Sequence, residues 1–358
     1  MKKYPIGIAC RWLTSFDAVS NDVLGMYETL KKANFPVKIF ADSWNLNTLP
    51  INSISEINSF LTHKYSILIY HLTSGWNAGL QILKKINCKK VIRYHNITPP
   101  SFYHDINEEY FIRAQQGLKN LEEIKHLKIN AFFANSNYSL KESGIQNGNV
   151  LYPFHKINEI IQAHPHKKLL KKLQDGNINL LSIGRISPHK NQIDTLKAFA
   201  TYNKNINPKS RLIIVGKEKR ELSPYNLQLK KIIQELNLSK CLLHLDTIDT
   251  NKLKSCYLAS HIFLTTSLHE GFCVPLAESM AFKLPIIALE NTAIPETTAH
   301  TGIIWQQNNP LLLATSINYL VQNQSFRNNL IQKGLHRFEK YFSKEVLQQT
   351  FLRNLTNL

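Results

Sequence analysis

Short apolar runs that end in polar loops, each followed by a stretch with helical spacing, recur in two separate series along this sequence, and that recurrence restricts the fold more than any other feature. In the first series residues 4–10 read as a strand, and 22–32 sets Val23, Met26, Tyr27 and Leu30 on one side of a helix. Further strands at 64–70, 90–94 and 131–134 run into the loops HLTSGW, HNITPP and NSNYS. Strands alternating with helices describe a parallel sheet covered on both faces. A second series places strands at 178–183, 211–215, 242–245, 261–265 and 284–289. Between the two, 153–177 is polar and basic with Pro and Gly, a linker composition. The expectation is an α/β chain of two Rossmann-like domains facing across a cleft. The first spans 1–155 and is completed by a helix in 343–358 that crosses back; 156–177 links it to the second at 178–342. A chain of 358 residues suits two such cores.

Charge and cysteine usage narrow the function classes. The formal charge of +18 allows nucleic acid, an anionic membrane surface or anionic small substrates as partners. Lys, Asn and Ile are abundant together, which fits compositional drift. The segment HPHKKLLKKL at 164–173 packs four lysines around leucines, either as a solvated helix or as one lying on acidic lipid. No zinc-finger, RNP-type or helix-turn-helix pattern supports nucleic acid. The five cysteines are scattered without metal-ligand spacing, so reduced thiols and no zinc are expected. Arg11 interrupts the opening apolar run, and the longest apolar runs fall far short of the roughly 20 residues that span a bilayer. A cytoplasmic location, with peripheral contact on an anionic membrane face, is the expectation.

Two segments carry chemistry. In TTSLHEGFCVPLAESMAFKLPIIAL a strand ends, a loop passes through Gly271, and a helix opens near Pro275, whose missing N–H costs nothing in a first turn. The amides of Gly271, Phe272, Cys273 and Val274 then head a helix and suit diphosphate oxygens. Glu270 and Glu278 flank that loop and can accept bonds from sugar and ribose hydroxyls, or serve only the loop and the helix dipole. In LLSIGRISPHKNQIDTLKAFA, a strand runs into Gly184 and Arg185, with Lys190 just before the next helix. Cations at the carboxyl end of a strand can neutralise a pyrophosphate that gains charge.

IGRISPHKNQ and HEGFCVPLAESMA, in this order and about 80 residues apart, resemble the donor-binding half of the family-4 retaining glycosyltransferases of the GT-B fold. AVSNDVLGMYETL, VIRYHNITPP and FFANSNYSLKESG resemble that family's amino-terminal domain, and RFEKYFSKE its closing crossover. The resemblance implies that Arg185 and Lys190 hold the donor diphosphate, with Gly184 in their loop. It implies that Gly271, Phe272, Cys273 and Val274 give amides to phosphate and sugar, that Glu270 contacts the sugar and that Glu278 binds the ribose. His95 matches the histidine that reaches the donor sugar. The first loop departs from the pattern, offering Phe16 and Asp17 where glycine is common. Asp246 stands where a glycine is common near the nucleobase.

The resemblance further implies hexosyl transfer from a GDP- or UDP-sugar to a glycan or lipid-linked saccharide in cell-surface polysaccharide synthesis. Retention would follow from front-face attack, with the donor phosphate taking the acceptor proton. No DxD pair lies in the site loops, so no metal and no cofactor are expected and positive groups serve the leaving diphosphate instead. The competing readings are a GT-B protein that binds sugar nucleotides without transfer, and a basic nucleic-acid-binding protein.

Overall fold

In the computed structural model, which describes residues 3–15, 17–46 and 50–358, the two series of apolar runs become two parallel sheets. The first contains β1 (Ile6–Leu13), β2 (Val37–Trp44), β3 (Ile51–Ser53), β4 (Ile67–Leu72), β5 (Lys89–Tyr94), β6 (Ala131–Ala134) and β7 (Asn149–Val150), ordered β3-β2-β1-β4-β5-β6-β7. The second contains β8 (Ile178–Ile183), β9 (Ser210–Val215), β10 (Leu242–Leu245), β11 (Ile262–Thr265), β12 (Ile286–Leu289) and β13 (Gly302–Trp305), ordered β10-β9-β8-β11-β12-β13. In each sheet the chain winds out one way and then returns to the other side of its first strand. The boundaries β1/β4 and β8/β11 are therefore switch points, where such sheets take ligands at their carboxyl ends.

β2, β3, β7 and β13 add to the strands expected from the sequence. β2 reads VKIFADSW and buries only Ile39, Phe40 and Ala41, so its period-2 signal is short. β3 and β7 are edge strands of three and two residues. The first helix starts earlier than its apolar spacing indicates, at Ala18, because the Asp17 carboxylate caps it by accepting from Ser20 N. Phe16 lies outside the described residues.

The chain divides into two compact units, the first made of residues 1–101, 109–155 and 343–358. Its sheet is packed on both faces. On one, Ile6, Ile8 and Val91 meet Val23, Met26 and Leu30, together with Leu347, Phe351 and Leu355 of the helix Lys344–Thr356. Phe351 stands edge-on to Phe154 at 5.8 Å. The opposite face packs Leu68, Tyr70 and Ile92 against Trp76, Leu80 and Leu121. In the second unit, Leu180, Leu212, Leu264 and Ile287 are covered by Leu196 and Phe199 of the helix Gln192–Asn205 and by Leu313 and Ile317 of the helix Pro310–Gln322.

Two stretches lie elsewhere than expected. Residues 156–177, read as a linker, belong to the second unit. They form the helices Ile157–Gln162 and Lys167–Leu173, which pack on the helix Thr250–Ala259. His166 ties this stretch down, donating its backbone N–H to Asn251 O at 3.2 Å. Leu173 is buried while Lys167, Lys168, Lys171 and Lys172 are exposed, so the apolar side of this helix faces protein. Residues 102–108, expected in the first domain, also group with the second unit. Ile106 packs on its core, and Tyr103 is buried beside His189. Among the described residues no helix is long and apolar enough to cross a membrane, and all five cysteines are free thiols.

Candidate active site

The loops after β8 and β11 meet at the switch point of the second sheet. After β8 the chain passes Gly184 and an exposed Arg185, makes a short turn at Pro188–Lys190, and enters the helix Gln192–Asn205 through Asn191 in the left-handed conformation, φ 52°. Asn is among the residues that tolerate this geometry. Its Nδ2 donates to Asp194 at 2.7 Å and to Thr266 O at 3.3 Å, while Thr266 Oγ1 donates to Asn191 O at 2.7 Å. Leu268 N also donates to His189 O at 2.8 Å. These bonds lock the two loops together.

Their side chains converge as a result. Lys190 Nζ lies 2.7 Å from Glu270 Oε1, in a pair whose side chains are only 19% and 7% exposed. Glu270 is held from behind, its N–H donating to Thr292 Oγ1 at 2.8 Å. The guanidinium of Arg185 has no partner among the described residues, although its carbonyl accepts from Gln192 Nε2 at 2.9 Å. His189 between them is buried; burial first, then Lys190 and Arg185, pushes its pKa down and keeps it neutral. Ser187 and Tyr103 hydroxyls lie 3.2 and 3.3 Å from its Nδ1.

Beyond Gly271 and Phe272, Cys273 turns through φ 70° and heads the helix Val274–Ala281, with Pro275 in its first turn. Phe272 O accepts from Thr297 Oγ1 at 2.6 Å, which fixes the loop. Burial and then Glu270 hold the Cys273 thiol protonated. Glu278 sits one turn along the same helix, where Tyr257 OH donates to its Oε2. Burial raises the Glu278 carboxyl to about 7, against the pull of that bond. Tyr257 is itself buried and stacks on Phe282 at 4.7 Å. The assembly offers an exposed guanidinium, an ammonium already paired to a carboxylate, and a helix N-terminus, which together attract an anion. Asp246 is exposed in the loop after β10.

Sequence reasoning missed the residue that shapes the Arg185 loop. A Cβ at Gly216, just past β9, would lie 1.9 Å from Gly184 O, so only glycine allows this approach. A glycine following an apolar strand was the available signal. Tyr257, Asn191 and Thr292 left no signal, since each acts through a partner distant in sequence.

His95 belongs to the first unit, immediately after β5, and is nearly buried, its side chain 5% exposed. Its Nε2 lies 2.8 Å from His71 Nδ1 and 3.4 Å from Asp22 Oδ2. Asp22 is wholly buried, accepts from Arg93 Nε at 2.7 Å and from Phe154 N at 2.8 Å, and so forms a neutralised pair with Arg93. Burial, reinforced by Arg93, lowers the pKa of both histidines and keeps them uncharged. Asp22, His71 and His95 place possible metal-ligand atoms within 4.8 Å of one another. The Arg93 guanidinium and the His71–His95 bond already engage those lone pairs, so a cation would have to displace both.

The same unit has a cleft of about 370 Å³ lined by Arg11, Asp42, Trp76, Asn77, Arg113 and Gln116. The guanidinium carbons of Arg11 and Arg113 lie 4.0 and 4.7 Å from the centre of the partly exposed Trp12 ring.

Residues 166–337, which include both switch-point loops, match the family model for glycosyl transferases group 1. The matched stretch is just under half of the chain and marks it as a glycosyltransferase, carried on the GT-B fold. It is 24% identical over 267 residues to the O-antigen chain mannosyltransferase RfbU of Salmonella typhimurium, a match covering 70% of each protein. It is 26% identical over 245 residues to an alpha-1,3/1,6-mannosyltransferase of Saccharomyces cerevisiae, covering 58% of this chain but only 48% of that protein. Among solved structures, HepE of Anabaena in complex with UDP-glucose superposes with a TM-score of 0.78 at 17% identity, covering 99% of this chain and 100% of that one. Sucrose-phosphate synthase from Thermosynechococcus elongatus gives 0.77 at 17% identity, covering 99% of both.

Proposed function

We propose that this glycosyltransferase is metal-independent and retaining, and moves a hexosyl residue, mannose in the first instance, from a GDP- or UDP-sugar to a glycan or lipid-linked saccharide of the cell surface. The observation that carries the reading is the Lys190–Glu270 contact at the switch point of the second sheet, beside the first amides of the helix Val274–Ala281. The mannosyltransferase relatives support the sugar, and the UDP-glucose held by HepE supports a nucleotide donor.

In this reading Arg185 and Lys190 take the diphosphate oxygens and stabilise the charge that grows as the sugar leaves. The amides of Gly271, Phe272, Cys273 and Val274 share that load, with Gly184 in the loop that carries Arg185. Glu270, once phosphate engages Lys190, orients the sugar through its hydroxyls, and Glu278 receives those of the ribose. His95 contacts the donor sugar. The acceptor attacks the face the diphosphate is leaving, and a donor phosphate oxygen takes its proton. The cleft lined by Arg11, Asp42 and Arg113 suits the acceptor, because its guanidinium and carboxylate groups can hold sugar hydroxyls or an anionic substituent. The exposed lysines of the helix Lys167–Leu173 suit an anionic membrane face.

A screen of GDP-, UDP- and ADP-sugars, with and without EDTA, tests the proposal. Transfer to a saccharide acceptor that is unchanged by EDTA and gives the same anomer is expected. Nucleotide-sugar binding without turnover would mark a binding protein instead. A salt-sensitive DNA shift with no sugar-nucleotide binding would favour the nucleic-acid reading.

A further inference from the structure

His71 is the penultimate residue of β4 and His95 follows β5, two strands that lie side by side with His71 opposite Arg93. The two imidazoles are joined by one hydrogen bond, Nδ1 of His71 to Nε2 of His95 at 2.8 Å, with ring centres 5.0 Å apart. Both rings are neutral, so a single proton occupies that bond, on one nitrogen or the other. Asp22 decides which. Its Oδ2, the oxygen that accepts from Arg93, lies 3.4 Å from His95 Nε2. A carboxylate oxygen attracts an N–H and repels a lone pair, so the proton belongs on His95 Nε2 and His71 Nδ1 accepts it.

The far side of the ring agrees. With Nε2 protonated, His95 Nδ1 carries a lone pair, and the group facing it is the amide nitrogen of Asn135 at 3.5 Å, a donor. The Asn135 carbonyl oxygen has no partner among the described residues. His71, its Nδ1 engaged as acceptor, holds its own proton on Nε2, which is buried and also without a partner among the described residues.

We propose that His71, with Asp22, is a positioning residue that fixes His95 in the Nε2–H tautomer, so that a substrate hydroxyl, displacing the long 3.5 Å contact from the Asn135 amide, donates to the Nδ1 lone pair of His95. The inference rests on the reading of His95 as a substrate-facing residue. It gives the histidine a defined duty: it receives a hydroxyl hydrogen and, being neutral, takes no part in stabilising the charge of the departing diphosphate.

Nitrogen NMR of protein labelled with ¹⁵N-histidine tests the tautomer without any turnover, the His95 signals being assigned by their loss in His95→Ala. A pyrrole-type Nε2 and a pyridine-type Nδ1 are expected; a protonated Nδ1 overturns the proposal. Kinetics test the consequence. His71→Asn keeps an acceptor near the Nδ1 position and should hold kcat within about threefold, whereas His71→Leu should lower kcat by at least about tenfold at unchanged KM for the nucleotide sugar. Full turnover in His71→Leu, or equal losses in the two folded variants, overturns it. If His71→Leu does not fold, the NMR signature and His71→Asn still decide. Protein that transfers no sugar yet keeps the Nε2 proton sinks the functional reading and leaves the tautomer standing.

Discussion

Replacing Lys190 with Met removes one charge and little volume, and separates what the Lys190–Glu270 pair does for the fold from what it does for turnover. Glu270 is 7% exposed and its carboxylate sits 2.7 Å from Nζ, so the variant strands a buried anion. Removing one partner of a buried pair costs about 3–5 kcal/mol; because Lys190 is 19% exposed, water reaches the site and the lower end, about 3 kcal/mol, applies. Loss of one preorganised charge-stabilising group costs a further 3 kcal/mol or so in the transition state, about two powers of ten in kcat/KM. The double variant Lys190→Met, Glu270→Gln leaves no unpaired charge and should recover most of the stability in urea denaturation while staying as slow as the single variant. Release of nucleoside diphosphate from the sugar nucleotide measures the rate. Lys190→Met that keeps kcat/KM within about threefold, or a double variant that regains turnover with stability, would refute the assignment.

Arg185→Ala removes an exposed, unpaired guanidinium, so kcat/KM should fall by about two powers of ten with an unchanged thermal midpoint; a drop in stability of the same size would point to a structural role instead. Because burial raises Glu278 to about 7, its protonated form is favoured by folding, and the stability it contributes is lost as pH rises through about 7. Binding of ribose hydroxyls needs the carboxylate and moves the other way, so calorimetric affinity for the nucleotide sugar should rise through about 7 and lose that slope in Glu278→Gln; an equal slope in both proteins rules Glu278 out. Gly216→Ala forces a Cβ to 1.9 Å from Gly184 O and should cost about 2–3 kcal/mol along with turnover. The control Gly176→Ala, at φ 86° with nothing within 4 Å, should cost about 1 kcal/mol and leave turnover intact. Changing Lys167, Lys168, Lys171 and Lys172 to Gln should weaken binding to anionic vesicles at low salt by about 1 kcal/mol per lysine; partitioning that is equal on neutral and anionic vesicles makes the charge compositional.

What the sequence determined by itself is the part carried by local pattern. Apolar runs ending in loops located most strands, and the spacing of Val23, Met26, Tyr27 and Leu30 located the face that the first helix buries. The loop that opens on Gly184 and the helix that opens near Pro275 were legible because strand, turn and helix start are contiguous there. Only the tertiary structure decided which charges meet. Lys190 and Glu270 are 80 residues apart and touch because β8 and β11 are neighbours in the sheet, although β9 and β10 intervene in the chain. The same holds for Asp22, His71, Arg93 and His95. In the sequence they are a helix aspartate and three residues near strand ends, whereas in the fold the pairing of β4 with β5 and the packing of the Ala18–Lys32 helix gather them into one buried network. The stretches 156–177 and 102–108 read as linker and first-domain loop because polar composition reports solvent contact along the chain. Composition carries no record of which core a lone Leu173 or Ile106 will find, and that is settled by the packing partner available when the sheets have formed.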